Sequence, residues 1–185
     1  MNRIEPLTAP YDSTLGALLE SMMPAGVPPI ALFRTFARNA EMTDAMRGWG
    51  GYELSKTLSL SMRQRELVID RVTARCRCEY EWGVHLAFFA DRVGLTAEQR
   101  RSITHGTPDD PCWNNDEAAL LRAIDELHDS ADISDATWAA LASSMTEQQL
   151  LDLLLLAGWY HAISYAANAA RVPLEEGAPR FADVV

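Results

Sequence analysis

Apolar residues recur at helical spacing through most of the chain, and no run alternates as a half-buried β-strand would. Three segments begin with a capping box, in which Ser or Thr precedes Gln by three residues, at Ser61, Thr96 and Thr146. The pattern predicts an all-α bundle of about eight helices. The predicted helices cover 15–23, 29 onwards, 40–52, 61 onwards, 78–94, 96–105, 115–129, 134 onwards and 146–171.

The last of these helices, 146–171, is apolar on nearly every face, which predicts burial inside the domain or between subunits. Alanines such as Ala162 and Ala166 allow another helix to approach closely. Tyr160 and His161 are the polar exceptions in this helix. Each is interpreted either as a core residue with a satisfied hydrogen bond or as a pocket residue.

The two ends of the chain lie outside the predicted helices. Pro6 and Pro10 predict an extended arm over 1–12, and 173–185 is expected to be an ordered but irregular tail. A chain of 185 residues can bury one sizeable core, so a single domain over 1–185 is expected.

Composition and charge narrow the class of protein. The net charge of −10 argues against a nucleic acid partner, which needs a basic surface. No apolar run reaches the roughly 18 residues of a membrane span, and the first residues lack the apolar core of a secretory signal. Three cysteines, two of them nearly adjacent, do not form a disulfide framework. A cytoplasmic, reducing location is expected.

The reactive groups concentrate between Ser61 and Phe89. Cys78, Glu81 and His85 lie at i, i+3 and i+7 of a predicted helix and so share one face. A helix N-terminus favours the thiolate of a cysteine such as Cys78, and His85 can exchange protons near neutral pH. Glu66, on the preceding helix, is a candidate to orient His85. The same residues also suit a packed core, because Cys often behaves as a small buried hydrophobe.

The motif from Arg65 to Val72, REL-x-I-x-RV, is followed by C-x-C-E-Y-E-W-x-x-H from Cys76 to His85. These motifs resemble the carboxymuconolactone decarboxylase-like family, which includes alkylhydroperoxidase D. The resemblance extends over nearly the whole chain, through segments at 3–7, 22–29, 32–39, 125–129 and 158–172. It implies an alkylhydroperoxidase D-like all-α fold and a homo-oligomer with active sites near subunit interfaces.

In alkylhydroperoxidase D a glutamate lies twelve residues before a C-x-x-C-x-x-x-H motif. Glu66, Cys78 and His85 match three of these four positions, while Glu81 stands where the family has its second cysteine. The resemblance implies a thiol-dependent peroxidase without a cofactor, in which Cys78 attacks a hydroperoxide and His85 and Glu66 relay the proton. Cys76 or an external thiol reductant would then resolve the oxidised Cys78.

Two alternatives remain open. The family's name-giving members decarboxylate a lactone acid, and here His85 and Glu81 would be the acid and base of such a decarboxylase or isomerase. In the other alternative, the protein is a non-catalytic, stress-related family member that has lost turnover along with the second cysteine.

Several further side chains receive an expectation from their surroundings. Tyr80 and Trp82 are candidate pocket residues beside Cys78. Cys76, Cys78 and His85 could supply metal ligands, but a fourth ligand is not evident, so no metal is predicted. His128 is interpreted as a favourable charge near a helix C-terminus. The clustered arginines are interpreted as a solvated face, and they are Arg65, Arg71, Arg75 and Arg77.

Overall fold

The computed structural model describes residues 2–184, so Met1 of the predicted arm and Val185 of the predicted tail lie outside the described residues. The described chain is all-α, as predicted, with nine α-helices, two 3₁₀ turns and no strand among its residues. The helices are α1 Ser13–Ser21, α2 Ala31–Phe36, α3 Ala40–Glu53, α4 Met62–Arg75, α5 Glu79–Phe89, α6 Ala97–His105, α7 Asn115–Ser130, α8 Asp135–Ala142 and α9 Glu147–Ala170. The 3₁₀ turns lie at Ala37–Asn39 and Phe181–Val184.

Helix α4 lies at the centre of the molecule and packs against α5, α6, α7 and α9. The capping box of Ser61 and Gln64 starts it, as the sequence predicts. Leu67, Val68 and Ile69 are all fully buried, because neighbouring helices cover α4 on opposite sides. The polar residues of α4 are consequently also forced into the interior, where they need partners.

The interpretation of the four arginines as a solvated face is wrong for Arg65 and Arg71, which are 5% and 4% exposed. Arg71 forms a bidentate ion pair with Asp125, with N–O distances of 2.7 and 2.6 Å. Arg75 pairs with Asp129, and Arg77 alone is classed as exposed. The physical reason is the central position of α4, which leaves it no solvated side over this length.

Helices α4 and α7 run parallel and in register. Arg63 bonds Glu117, Arg71 bonds Asp125 and Arg75 bonds Asp129, and each pair is separated by 54 residues. A constant offset between paired residues requires that both helices advance in the same direction. This ladder fixes the position of α7 against α4.

Within one chain, helix α9 is buried on one side only, and burial of its other side between subunits stays a prediction. Leu153, Leu156 and Tyr160 are buried, whereas Leu155 and Tyr165 are 54% and 66% exposed. By length and composition alone α9 could cross a membrane, but half of its most apolar window is buried inside the protein. The core helix of a globular fold has the same properties.

The arm and the tail both pack on the helices. The backbone N–H groups of Arg3 and Ile4 donate to the carbonyl of Ala170 at the end of α9. The tail crosses α5 at Gly83, where a Cβ would lie 2.6 Å from the carbonyl oxygen of Pro179. The sequence predicts an irregular tail, but the tail ends in the 3₁₀ turn Phe181–Val184. This turn is held in place because the Phe181 ring packs on Trp82, with centroids 4.9 Å apart.

Candidate active site

His85 lies at the meeting point of α4, α5 and α9. Its Nδ1 is 2.8 Å from Oε2 of Glu66 on α4, and its Nε2 is 3.0 Å from the hydroxyl of Tyr160 on α9. Oε2 of Glu81, one turn earlier on α5, is 3.7 Å from the same Nε2. The structure thus brings together the predicted catalytic residues Glu66, Glu81 and His85 with the candidate pocket residue Tyr160.

The tautomer of His85 follows from these contacts. Because a carboxylate only accepts, Nδ1 carries the proton and donates it to Glu66, which leaves the lone pair on Nε2. The other oxygen of Glu66 accepts from Arg65 at 2.6 Å, and Arg65 also donates to the carbonyl of Leu54. His85 is therefore held in one orientation with its basic nitrogen facing Tyr160 and Glu81.

Glu81 and Tyr160 both retain their protons more strongly than usual. Burial raises the pKa of Glu81, and the neighbouring His85 opposes this shift in part. Burial, followed by the charge of Glu81, raises the pKa of Tyr160 well above its usual value. The second oxygen of Glu81, Oε1, is buried without a hydrogen-bond partner within the described residues. It is a polar group available to a bound molecule.

A cavity of about 350 Å³ opens beside this cluster, and Glu81, His85 and Tyr160 form part of its wall. The rest of the wall is largely apolar and includes Leu32, Phe36, Met46, Val84, Phe89 and Ile163. Arg47 also lines the cavity, and its charge is paired with Asp44 at 2.9 Å. A small cavity with apolar walls and a few convergent polar groups is typical of sites for small molecules.

Cys78 does not line this cavity. It is the residue before α5 and its side chain is fully buried, packed with residues of α2 and α9 such as Phe36 and Ala167. Burial raises the pKa of its thiol to about 11, although the backbone N–H of Glu81 favours the thiolate. The helix N-terminus is expected to favour the thiolate of Cys78, but desolvation is the larger effect on the pKa of this buried thiol.

The candidate pocket residues Tyr80 and Trp82 also lie outside the cavity. The Tyr80 hydroxyl donates to Glu175 of the tail and accepts from the backbone N–H of Leu32. Trp82 is fully buried in the main core. These contacts hold the tail and α2 against α5, so the role of both side chains in this structure is packing.

His161 lies away from the cavity and contacts His128, with Nε2 of His161 3.0 Å from Nδ1 of His128. Cys76 lies at the C-terminus of α4, with its sulfur 3.9 Å from the same nitrogen of His128. The suggested metal ligands Cys76, Cys78 and His85 are not brought together, whereas Cys76, His128 and His161 are. The interpretation of His128 as a partner of the helix dipole missed both contacts.

Two residues beside His85 escape sequence reasoning. Arg65 anchors Glu66, and the ring of Phe89 stacks on His85 with centroids 5.5 Å apart and planes inclined by 29°. The guanidinium of Arg65 also lies 5.0 Å above the Phe89 ring. In the sequence, the role of Arg65 as the partner of Glu66 is indicated only by its position directly before Glu66 in the motif.

The sequence matches the model of the carboxymuconolactone decarboxylase family over residues 40–126, which include Glu66, Cys78, Glu81 and His85. Comparison with curated proteins gives no match. A peroxidase-related protein from Silicibacter sp. TM1040 superimposes with a TM-score of 0.81 at 16% identity, over 96% of each chain.

Two further proteins of known structure share the fold. A peroxidase-related protein from Ralstonia eutropha JMP134, with an alkylhydroperoxidase AhpD core, gives a TM-score of 0.78 at 15% identity over 95% of each chain. The debrominase Bmp8 gives 0.74 at 14% identity over 94% of this chain and 92% of its own. Its cysteine-to-alanine variant, in complex with 2,3,4-tribromopyrrole, gives 0.75 at 13% identity over 94% and 91%. Residues 40–126 therefore match the carboxymuconolactone decarboxylase family, and the chain has the fold of the alkylhydroperoxidase D-like proteins.

Proposed function

We propose that this protein is a cofactor-free acid–base enzyme that transfers a proton on a small, largely apolar substrate, in a decarboxylase- or isomerase-type reaction. The observation that carries this proposal is the placement of His85 and Glu81 in the wall of the cavity while Cys78 lies outside it. General acid–base catalysis requires reactive groups within reach of the substrate, and these two residues meet that requirement.

The contacts of His85 support its role as the base. Nε2 takes a proton from the carbon next to a carbonyl group. The electron pair of the C–H bond forms a C=C bond, and the π pair of the C=O bond moves to the oxygen. The carboxylate of Glu66 stabilises the imidazolium that forms, because it accepts from Nδ1 at 2.8 Å. Arg65 keeps Glu66 in place through its own hydrogen bond.

Glu81 supports the complementary role of the acid. Its raised pKa widens the range in which it carries a proton, and it donates this proton to the substrate oxygen as negative charge develops there. Tyr160, whose phenol stays protonated, donates a hydrogen bond to Nε2 of His85 and shifts to the substrate when His85 takes the proton.

The cavity favours a narrower substrate class than the lactone acids of the name-giving enzymes. Arg47 is the one arginine or lysine among the described residues that line the cavity, and it is already paired with Asp44. A substrate with several carboxylates would therefore lack positively charged partners there. An aromatic or aliphatic ketone or lactone matches the apolar wall. The structural neighbour Bmp8 was solved with a brominated pyrrole, a compact ligand of low polarity.

The direct test is proton exchange at carbon. Purified protein is incubated in D₂O with a panel of small ketones and lactones, and deuterium incorporation next to the carbonyl is followed by NMR. The proposal expects exchange above the buffer rate for at least one compound, and a much lower rate in both Glu81→Gln and His85→Gln. Exchange that persists in both variants, or that no compound shows, contradicts the proposal.

A thiol-dependent peroxidase is the second candidate, and one observation favours it. Ser164 lies beside both Cys78 and Cys76, so the two thiols are neighbours. All three cysteines are free, which fits a reducing, cytoplasmic location with an external thiol reductant. Cys76 would be the resolving thiol in this candidate.

The thiol chemistry separates the two candidates. With a pKa of about 11, roughly one Cys78 side chain in a thousand is a thiolate at pH 8. We expect that a slight excess of organic hydroperoxide oxidises Cys78 no faster than the loop residue Cys112, and that the rate rises about tenfold per pH unit up to pH 10. The measurement is mass spectrometry after trapping of sulfenic acid, with Cys76→Ser and Cys112→Ser as matched variants.

Rapid, selective oxidation of Cys78 near neutral pH would establish the peroxidase and contradict the acid–base proposal. Proton exchange that is retained in Cys78→Ser supports the acid–base proposal. A protein that shows neither exchange nor selective oxidation is the non-catalytic family member considered from the sequence.

We also propose that the exposed face of α9 packs against a second copy of the chain. Leu151, Leu155 and Tyr165 are 61%, 54% and 66% exposed, and Trp138 of α8 is 43% exposed. Large apolar side chains repeated along one helix face are typical of protein–protein interfaces. The oligomer implied by the family resemblance provides such a partner.

Leu155→Glu is expected to convert the oligomer to a monomer, because a carboxylate in the centre of the interface would be desolvated without a partner. The mass of wild type and variant is measured by light scattering at equal concentration. Met62→Glu is the matched control, since Met62 is 48% exposed and belongs to α4 rather than to the exposed face of α9. A wild-type monomer, or equal dissociation in both variants, contradicts the assignment.

A further inference from the structure

Three helices bring a cysteine and two histidines together on the side of α9 away from the cavity. Cys76 is the C-terminal cap of α4, His128 lies in the last turn of α7, and His161 lies within α9. The ligand atoms of these three side chains all lie within 4.8 Å of one another. All three residues are half-buried, so an ion from solvent can reach them.

Two of the three separations are close to those of a tetrahedral zinc site, and the third, between Sγ of Cys76 and Nε2 of His161, is within 4.8 Å. With Zn–N near 2.05 Å and Zn–S near 2.3 Å, two nitrogens lie about 3.3 Å apart and a nitrogen and a sulfur about 3.6 Å apart. Nδ1 of His128 is 3.0 Å from Nε2 of His161 and 3.9 Å from Sγ of Cys76. Adjustments of about 0.3 Å bring both separations to the tetrahedral values, within the reach of small side-chain rotations.

The protons on the two rings are arranged for ligation. Nδ1 of His161 donates to the carbonyl of Ala157 at 3.0 Å, so its Nε2 presents a lone pair to the cluster. His128 then donates from Nδ1 to that lone pair, and it ligates once its proton moves to Nε2. Burial and the charges of Arg75 and His161 lower the pKa of His128, which favours the neutral ring that ligands require.

The backbone and the surrounding charges support the third ligand. Cys76 is held by its N–H bond to the carbonyl of Val72 and by a hydrogen bond from Asn168 to its own carbonyl, both 2.9 Å long. Burial raises the pKa of its thiol, whereas Ser164 and Arg75 favour the thiolate that a metal ion binds. Arg75 does not leave an uncompensated positive charge, because it pairs with Asp129 on α7.

We propose that Cys76, His128 and His161 bind a zinc ion through Sγ, Nδ1 and Nε2, with water as the fourth ligand. One thiolate and two imidazoles form a donor set that zinc prefers. The site is separate from the cavity, since adjacent residues on a helix are about 100° apart and Tyr160 and His161 therefore face different sides of α9. The ion joins the C-terminal end of α4 to α7 and α9.

A bound zinc ion also has a consequence for thiol chemistry. It holds Cys76 as a metal-bound thiolate, two residues before Cys78, and so removes the candidate resolving thiol. Zinc binding thus keeps the two neighbouring cysteines from forming a disulfide. This inference is independent of the acid–base proposal, because none of the three ligands lines the cavity.

The experiment uses full-length protein freed of any histidine tag and stripped with a chelator. Zinc is titrated in competition with a chromophoric chelator, and cobalt is added in parallel as a spectroscopic probe. We expect one zinc per chain and, with cobalt, a thiolate-to-metal charge-transfer band together with the visible bands of a tetrahedral ion. Cys76→Ala should abolish the charge-transfer band.

Each of the ligand variants Cys76→Ala, His128→Gln and His161→Gln should lower zinc affinity more than about 100-fold, since loss of an outer-shell partner alone costs 10–100-fold. His105→Gln and Cys112→Ser are the matched controls and should bind as wild type. Folding of every variant is checked by circular dichroism, and the folded ligand variants decide the outcome. Substoichiometric zinc, an unchanged cobalt spectrum in Cys76→Ala, or equal losses in the controls would overturn the proposal.

Discussion

Replacement of His85 by Gln is expected to lower the rate of proton transfer by about 10²–10⁴-fold while the fold is retained. Gln can still donate a hydrogen bond toward Glu66, so the carboxylate held by Arg65 is not left without a partner. It has no basic nitrogen, so only the chemical step is lost. The rate is measured with the best substrate from the deuterium-exchange panel, with wild type and variant compared at saturation.

The exposed histidine His105, which bonds the backbone carbonyl of Phe181, provides the matched variant His105→Gln. The His105→Gln variant should retain full activity, so a loss confined to His85→Gln identifies His85, in the wall of the cavity, as the base. Activity within threefold of wild type in His85→Gln would falsify the assignment. A comparable loss in Cys78→Ser would instead indicate that the Cys78 thiol takes part in the reaction.

The pH dependence follows from Glu81. Its pKa is raised in the folded protein, so it acts as an acid at pH values where an ordinary glutamate is already ionised. Activity should therefore decline as pH rises through this elevated pKa, and Glu81→Gln should lack that decline because Gln cannot ionise. The ratio of wild-type to variant rate is consequently largest on the acidic side of the profile.

The helices were the most predictable part of the molecule because their signals are local. Each capping box satisfies the first N–H groups of its own helix, so Ser61, Thr96 and Thr146 each start a helix as the sequence indicates. The end of α5 was predicted too late, at Gly94 rather than Phe89. The chain turns there so that Leu95 is buried and Thr96 can cap α6, and this depends on packing.

The placement of Glu81 beside His85 was also predictable, because residues at i and i+4 of a helix are neighbours. The same argument fails for Cys78. Its φ and ψ angles of −92° and 77° are not helical, so the turn of about 100° per residue does not extend to it. Cys78 consequently points into the core while His85 faces the cavity.

Apart from Glu66 and His85, groups that meet across helices were not predictable from spacing. Cys76 and His128 are 52 residues apart, and His128 and His161 are 33 apart. Their meeting depends on how α7 and α9 pack on the end of α4, which local patterns do not encode. Tyr160 is an intermediate case, since a polar residue in an apolar helix is conspicuous even when its partner is unknown.

Arg71→Met is expected to lower the free energy of unfolding by about 3–5 kcal/mol, because it leaves the Asp125 carboxylate with only a longer contact of 3.6 Å to Nε of Arg75. Arg71 is 4% exposed and binds both oxygens of Asp125. It also donates to the carbonyls of Ile103 and Gly106, so it joins α6 to the ladder between α4 and α7. Urea denaturation followed by circular dichroism measures the change.

Arg75→Met is the matched control on the same ladder. The Arg75 and Asp129 side chains are 31% and 64% exposed, and an ion pair accessible to solvent contributes at most about 1 kcal/mol. The double variant Arg71→Met/Asp125→Leu tests the mechanism, because it removes the stranded carboxylate and should recover part of the loss. Equal losses in Arg71→Met and Arg75→Met would mean that burial does not decide the strength of these pairs. No recovery in the double variant would instead assign the loss to the two carbonyls that Arg71 no longer satisfies.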